Sequence, residues 1–339
     1  MDERNRRAVL IGAFGTIAVF ALLFVAVGAD RVLDSLLSAD PSLVVLTFAL
    51  ALCWLAAWSL MLRTILATLG VDVPLEKTFF VYAGAVFANS VTPFGQAGGE
   101  PVAALIISNV SESRYETGLA GIATVDVLNV VPSLSLVFVG VGYYATTAAV
   151  GERLETAVGS ALALSVGVVL LVVLVWRSRE TLVECLPASV APRIARLGLG
   201  RFDPATLEAD LADRLSRFFE NLERISTDRR RLATAIGLSL AGWLFQAAAL
   251  LTAFAALGYS VPLSVLVFVV PLANLAGATP LPGGLGGIEA AFVALLVPTT
   301  GIEAAAVTAA VLVFRGAVYW MPVVIGGVSV SVFGVRELR

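Results

Sequence analysis

Four ionisable side chains lie within or beside long apolar segments of this chain, namely Glu100, Asp126, Glu289 and Arg315. A charge at the centre of a bilayer costs roughly 2.5–3.5 kcal/mol on insertion scales, so such residues usually face a cavity or an ionic partner. Arg315 cannot lose its proton. We therefore expect Arg315 to contact Glu289, Glu100 or an anionic phosphate, and the alternative interpretation is a purely structural ion pair.

Each glutamate follows a segment that is rich in proline and glycine. Residues 93–101 read PFGQAGGEP, and residues 280–289 read PLPGGLGGIE. Such residues interrupt a helix, and in hydrocarbon the freed backbone groups survive only where they line a polar cavity or are buried in protein. A half-helix that begins after the glycines directs its positive end at that cavity. We expect residues 93–100 and 280–289 to be non-helical and to approach one shared cavity.

The two glutamates have two compatible interpretations: each caps the first turn of its half-helix, or each faces the cavity and holds a polar head group or carries a proton. For any one intramembrane amide taken alone, including Asn129 and Gln246, helix–helix hydrogen bonding is the commoner role. The residues that we predict to line a substrate pathway are Asn89, Pro93, Gln96, Gly98, Gly99, Glu100, Asp126, Asn274, Pro280, Pro282, Gly283, Gly284, Gly286, Gly287, Glu289 and Arg315.

The composition is that of a membrane protein. Hydrophobic residues make up 59% of the 339 residues and charged residues only 14%, whereas about a quarter of a soluble domain is charged. There is no histidine, and the two cysteines, Cys53 and Cys185, lie in different environments, so no metal site, cofactor or disulfide is predicted. The net charge of −3 favours no nucleic-acid partner. Five apolar runs approach or exceed the roughly 20 residues that cross a bilayer: 9–28, 42–62, 117–141, 157–176 and 232–257.

The arginines predict the orientation in the membrane. Three precede the first run, eleven lie in residues 177–231, and two end the chain. The positive-inside rule places these groups, and therefore both termini, in the cytoplasm of a plasma-membrane protein. Residues 30–40 and 142–156 are then external. The same rule requires residues 78–108 to enter and leave on the cytoplasmic side, either as a re-entrant hairpin or as two short spans.

We expect an all-α polytopic membrane protein with one transmembrane domain over residues 1–339, about six full spans and two re-entrant helical hairpins. The hairpin and span at 78–141 resemble those at 261–333, because in both the glutamate precedes the next intramembrane charge by 26 residues. The first hairpin enters from the cytoplasm and the second from outside, which is an inverted-topology repeat. Residues 177–231 are predicted to form a cytoplasmic linker with one amphipathic helix, which begins at Asp203-Pro204.

Two motifs resemble those of a known family. Residues 279–296 read TPLPGGLGGIEAAFVALL and are followed by Arg315 and Tyr319. This pattern is similar to the C-terminal signature of the lysylphosphatidylglycerol synthase transmembrane region, also called the flippase-like family. The first break, with Asn89 before it, resembles the N-terminal signature, and the resemblance covers essentially the whole chain. In that family the region can be fused to an aminoacyl-phospholipid synthase or a glycosyltransferase, and it is thought to flip modified lipids.

The chain departs from the family pattern at two points. The printed sequence contains no aminoacyl-transferase domain, so we expect no synthase activity and no enzyme. The segment from Asp126 to Asn129 stands where the family carries an arginine and an aspartate, so the resemblance assigns no role to either residue.

The leading hypothesis is a lipid flippase or transporter for an amphiphile with a polar or anionic head, such as a phospholipid or a polyprenyl-phosphate-linked glycan. It rests on the two breaks and the intramembrane charges. The alternative is a non-transporting membrane subunit that presents lipid to a separate glycosyltransferase or synthase. An intramembrane enzyme has the least support, because histidine, a zinc motif and a serine–lysine pair at a suitable depth are absent.

Overall fold

A computed structural model describes residues 27–92, 96–147, 173–196, 204–278 and 281–335, together with Ala21, Val25, Val166, Gly167 and Leu170. These residues form helices, turns and short connections, with no β-strand among them. Four helical stretches are long and apolar enough to cross a membrane, namely Pro41–Thr68, Tyr115–Tyr144, Arg229–Ala256 and Ala304–Ser331. The chain is therefore an all-α, multi-pass membrane protein. The predicted spans at 9–28 and 157–176 lie mostly outside the described residues.

The α-helices with described bounds are numbered in chain order. They are α1 (Ala29–Leu37), α2 (Pro41–Thr68), α3 (Leu75–Val91), α4 (Gln96–Ser111), α5 (Tyr115–Thr147), α6 (Arg179–Arg196), α7 (Pro204–Thr227), α8 (Arg229–Ala256), α9 (Leu263–Leu275), α10 (Gly287–Thr300), α11 (Ala304–Arg315) and α12 (Met321–Val335). Two 3₁₀ turns, Ala276–Ala278 and Pro282–Gly284, lie between α9 and α10. A π-helical turn, Gly316–Trp320, joins α11 to α12 within the last span.

Helices α2 and α8 form the central pair and share the most extensive helix–helix contact of the described residues. At one end, the backbone N–H of Asp40 donates to the carbonyl of Ala256 at 2.8 Å. Further along, Trp58 Nε1 donates to the carbonyl of Ser239 at 3.3 Å. The start of α2 therefore meets the end of α8, and the two helices run antiparallel.

Both central helices begin with an aspartate cap. Asp40 accepts a hydrogen bond from the N–H of Ser42 at 2.8 Å, and Asp228 accepts one from the N–H of Arg231 at 3.1 Å. Each bond satisfies a backbone donor that the start of a helix leaves free. The hydroxyl and N–H of Ser42 also hold the pKa of the exposed Asp40 carboxyl below its usual value, because both bonds favour the ionised form.

The remaining membrane helices form two hairpins around this pair. Helix α3 packs against α4, and α9 packs against α10. The first arm of each hairpin also contacts the long span that follows the other hairpin: α3 contacts α12, and α9 contacts α5. The second arm contacts the span that follows its own hairpin: α4 contacts α5, and α10 contacts α11. Helix α3 also contacts the turn Pro282–Gly284, so the first hairpin reaches the second break.

Two expectations about helix boundaries are wrong. Residues 96–100 are helical, because α4 begins at Gln96, and residues 287–289 are helical, because α10 begins at Gly287. Helices resume within the glycine runs because a glycine weakens a helix by only about 1 kcal/mol, which hairpin packing outweighs. Residues 93–95, 279 and 280 lie outside the described residues.

The linker predicted over residues 177–231 contains a second helix that the sequence reasoning missed. The predicted helix is observed as α7, and α6 precedes it and packs against it. The sequence did not predict α6 because this helix contains Pro187 and Pro192, and proline normally ends or kinks a helix.

Candidate functional site in the membrane

A buried ion pair connects the second break with the last span. Arg315 Nε donates to Glu289 Oε1 at 2.7 Å, and the two side chains are 7% and 2% exposed. The other carboxylate oxygen, Oε2, accepts from the backbone N–H of Gly286 at 2.7 Å. Glu289 is the third residue of α10, so it satisfies a free donor at the helix start while it orients Arg315. This geometry matches the capping interpretation of Glu289 and one of the partners predicted for Arg315.

The guanidinium of Arg315 retains unused donors. It carries five N–H groups, of which Nε binds Glu289 and Nη2 reaches the carbonyl of Gly283 at 3.5 Å, the outer limit of a hydrogen bond. Its Cζ lies 4.4 Å from the centre of the Tyr319 ring, a cation–π contact. Within the described residues, no hydrogen bond engages Nη1, and Arg315 lines a cavity. These donors are suited to an oxygen-rich anion.

Tyr319 joins the two breaks. It lies in the π-helical turn, one helical turn after Arg315, and its hydroxyl donates to the carbonyl of Ser90, near the end of α3, at 3.4 Å. Its ring also packs on Gly283, where an added Cβ would lie 2.6 Å from the ring. Gly283 has φ +58°, so both the left-handed backbone and the close contact require glycine. Single π turns within α-helices are frequent at functional sites.

A carboxyl pair follows the first break. Glu100 of α4 and Asp126 of α5 lie beside one another and interact through their carboxyl groups. Glu100 therefore contacts Asp126, and Arg315 contacts Glu289. Each pair joins two residues that are 26 positions apart.

The two arms of the first hairpin approach one another closely at the first break. A Cβ at Gly99 would collide with the side-chain oxygen and the backbone of Asn89. Only glycine allows α3 and α4 to approach this closely. Asn89 Oδ1 is buried and has no hydrogen-bond partner in the part of the chain that the structure describes.

A cavity of about 620 Å³ lies between the central pair, the hairpins and the long spans. This volume lies within the range of roughly 300–1,000 Å³ that is usual for small-molecule sites. Ser90, which precedes the first break, and Gly283, within the second, both line the cavity. The predicted pathway residues that line it are Asn89, Asp126, Asn274, Gly283 and Arg315.

Sequence reasoning missed the aromatic part of the cavity wall. Trp54 and Trp58 of α2, Tyr82 of α3 and Trp243 of α8 all line the cavity. The ring of Trp58 lies edge-to-face with both other tryptophans, at centroid distances of 5.4 Å. The four-residue spacing of Trp54 and Trp58 indicates a shared helix face, but it does not distinguish a face towards a cavity from one towards lipid.

The other predicted residues lie around the cavity rather than in its wall. Glu100 lies beside Asp126 and Glu289 binds Arg315, and both of these partners line the cavity. Gln96 and Gly98 lie in the first turn of α4, and Gly99 packs on Asn89. Pro282, Gly284 and Gly286 lie in the turn before α10, with φ +64° at Gly284 and +85° at Gly286, and Gly287 is the first residue of α10. Pro93 and Pro280 lie outside the described residues.

The comparisons with known proteins agree with this architecture. The family described as the lysylphosphatidylglycerol synthase TM region matches residues 8–326. A UPF0104 membrane protein of Methanothermobacter thermautotrophicus is 26% identical, over 98% of this chain and 95% of the relative. A UPF0104 membrane protein of Pyrococcus horikoshii is 23% identical, over 95% of this chain and 96% of the relative.

A third relative is about twice as long as this chain and is named as a glycosyltransferase. Glycosyltransferase AglD of Haloferax volcanii is 28% identical to this chain, over 91% of this chain but only 52% of the relative. Because the family match covers most of the sequence, the chain belongs to the lysylphosphatidylglycerol synthase transmembrane region family.

Proposed function

We propose that the protein moves a lipid with an anionic, phosphate-bearing head group across the plasma membrane through this cavity, as a flippase. The observation that carries the proposal is Arg315, a buried cation whose unused N–H groups line a cavity at membrane depth. Such a residue is a functional-site candidate by default, because its cost in the membrane must be offset by a partner or a substrate.

The surroundings of Arg315 favour transient binding of a phosphate. Glu289 neutralises the guanidinium, so the site has no large net positive charge that would retain an anion. Binding then depends on the free N–H groups and on the start of α10, whose dipole favours negative charge. A transporter needs such a site, because the substrate must leave as readily as it enters.

An inverted repeat would allow the cavity to open alternately to each side of the membrane. Three matched features support such a repeat. The helix caps Asp40 and Asp228, and the positive-φ glycines Gly70 and Gly258, are each 188 positions apart. The two short connections after these glycines both end at a proline, at 74 and 262, again 188 positions apart. The matched helices α2 and α8 run antiparallel, which is the relation expected of two halves inserted in opposite directions.

On this plan the chain has about six spans and two re-entrant hairpins, with both termini in the cytoplasm. We propose transport rather than catalysis because the arginine and the aspartate of the cavity wall each lie against a partner side chain. Arg315 is paired with Glu289, and Asp126 lies beside Glu100. Among the described residues, no group of three or more His, Cys, Asp or Glu side chains is placed to hold a metal ion.

The alternative function is a membrane subunit that presents lipid to a separate glycosyltransferase or synthase. The relative named glycosyltransferase AglD supports it, since that protein carries a matching region within a chain about twice as long. A presenting subunit needs the cavity but does not need alternating access.

Reconstitution of the full chain into vesicles tests the proposal. The lipid is phosphatidylglycerol with a fluorophore on its acyl chain, and an impermeant reductant quenches only the outer leaflet. We expect quenching of both leaflets with the protein and of one leaflet without it. A second lipid, polyprenyl phosphate, is assayed by the accessibility of its phosphate to an added phosphatase. Binding of either lipid without movement of any would overturn the transport proposal and favour the presenting subunit.

A further inference from the structure

We infer that the cavity selects a neutral polyhydroxylated head group, a sugar or polyol joined to the phosphate that Arg315 binds. This inference rests on the proposed function and adds the chemical class of the substrate. It is carried by polar groups of the cavity wall that have no partner, and by the aromatic rings between them.

Gln246 of α8 provides the first observation. It lines the cavity one helical turn after Trp243 and is only 4% exposed. No hydrogen bond engages its amide within the described part of the chain. The amide oxygen and nitrogen are not sealed off from the cavity, so the side chain can both accept from and donate to a ligand there. A hydroxyl group does both.

Three asparagines add further unused groups to the wall. Asn89 Oδ1 is buried without a partner. Asn129 uses its Oδ1 to accept from Ser239, and Asn274 uses its Nδ2 to donate to Val270, so each retains the other half of its amide. All three residues line the cavity. Unused acceptors and unused donors therefore occur in the same cavity wall, which suits a ring of hydroxyl groups better than a head group with acceptors alone.

The tryptophans show the same pattern. The indole N–H of Trp58 donates to Ser239, and that of Trp243 donates to Asn129. The N–H of Trp54, a residue only 5% exposed, has no partner in the described structure. A buried tryptophan usually satisfies this group. Trp54 thus offers an aromatic edge and one free donor, which fit the C–H face and the hydroxyl groups of a pyranose or a cyclitol.

A cationic head group fits the same wall less well. It would need a carboxylate to pair with, and Asp126, the acidic residue of the wall, already interacts with Glu100. A bare phosphate would use Arg315 and leave the amides without partners. The neutral groups of the wall therefore distinguish head groups, whereas Arg315 binds the phosphate that all these lipids share.

Equilibrium binding of radiolabelled lipids to the purified full chain tests the inference. The probes are a polyprenyl-phosphate hexose, the same polyprenyl phosphate without the sugar, phosphatidylinositol and phosphatidylethanolamine. We expect at least one of the two hydroxylated probes to bind about 10-fold or more tightly than the bare phosphate and the amine. Which of the two binds more tightly distinguishes a polyprenyl carrier from a glycerophospholipid.

Two variants locate the effect. Gln246→Leu and Trp54→Phe should each weaken binding of the hydroxylated probe by about 3- to 10-fold, the effect of one hydrogen bond. Both should leave the affinity for the bare phosphate unchanged. Thr252→Val is the matched control, since Thr252 is a hydrogen-bonded polar residue of α8 that does not line the cavity. It should change neither affinity.

Equal affinity for hydroxylated and bare probes would overturn the inference, as would tighter binding of the amine or an equal loss for all probes in Gln246→Leu. These failures are distinct from failure of the proposed function. Selective binding without movement in vesicles would refute transport and leave the head-group class intact. Movement of all four lipids without selective binding would leave the transport proposal intact and refute the head-group class.

Discussion

Arg315 and Glu289, 26 residues apart in the chain, form a buried ion pair with Nε and Oε1 at 2.7 Å. The carboxylate also accepts a hydrogen bond from the N–H of Gly286, so it links the arginine to the turn before α10. Any change in the orientation of Arg315 is therefore transmitted to the second break. The ion pair positions the N–H groups of Arg315 that face the cavity. A substitution of either residue is therefore expected to disturb the other.

Arg315→Gln should destabilise the protein and abolish lipid movement. Loss of one partner leaves Glu289 buried and uncompensated, which costs about 3–5 kcal/mol. The double variant Arg315→Gln with Glu289→Gln removes both charges and should recover most of that stability without recovering movement. The free energy of unfolding in mixed micelles and the vesicle assay measure the two effects. Normal lipid movement in the double variant would refute the anion site.

Arg315→Lys should retain part of the movement. Lysine keeps the positive charge beside Glu289, but it lacks the planar fork that binds two phosphate oxygens at once. We expect a folded protein with a reduced rate and weaker binding of phosphate-bearing lipids. If Arg315→Lys is as inactive as the double variant Arg315→Gln with Glu289→Gln, then the planar fork of arginine, rather than its charge, is essential.

Gly283→Ala should disturb the site beyond its cost in backbone strain. An alanine at positive φ costs about 1–2 kcal/mol, and at this position its Cβ also meets the Tyr319 ring. Gly301→Ala is the matched control, because Gly301 has φ +70° and nothing within 4 Å of the added Cβ. We expect Gly283→Ala to be the more destabilising and to slow lipid movement, whereas Gly301→Ala should affect stability alone.

Addition of Tyr319→Ala should relieve part of the clash. The double variant Gly283→Ala with Tyr319→Ala is then less destabilised than the sum of the single variants. Strict additivity of the two free energies would show that the contact between Tyr319 and Gly283 does not limit packing.

The sequence predicted the four described spans and the approximate positions of the two breaks, because each is a local property of hydropathy or of proline and glycine. The 26-residue spacing linked Glu289 to Arg315 for the same reason: both belong to one hairpin and its following span. Contacts between distant segments could not be predicted. Tyr319 meets Ser90 across 229 positions, and Trp243 meets Asn129 across 114. The cavity wall depends on such contacts, which is why its tryptophans were missed.

The pH dependence of stability should report the Asp40 cap. Its pKa is lowered by Ser42 in the folded state, so the ionised carboxyl stabilises the fold above the unfolded pKa of about 3.9. That stabilisation is lost as the pH falls through the folded pKa. Asp40→Asn keeps a capping side chain that does not titrate. Its melting temperature should therefore fall less than that of the natural protein between pH 7 and pH 3.

Ser42→Ala provides the control for this effect. It removes the hydroxyl donor but keeps the backbone N–H, so the pH dependence should become smaller without disappearing. Identical pH profiles for the natural protein and Asp40→Asn would show that the cap does not contribute.

The antiparallel central helices predict opposite accessibility for two matched loops. Asp72 lies between α2 and α3, and Ser260 lies 188 positions later, between α8 and α9; both are exposed. Cysteines are introduced at these positions after Cys53 and Cys185, which are also exposed, have been replaced by serine. On the proposed topology, an impermeant maleimide labels Ser260→Cys in intact cells and labels Asp72→Cys only after permeabilisation. The reverse pattern would preserve the inverted repeat and reverse the orientation. Labelling of both sites from one side would refute the repeat, because two equivalent loops of oppositely inserted halves must lie on opposite faces of the membrane.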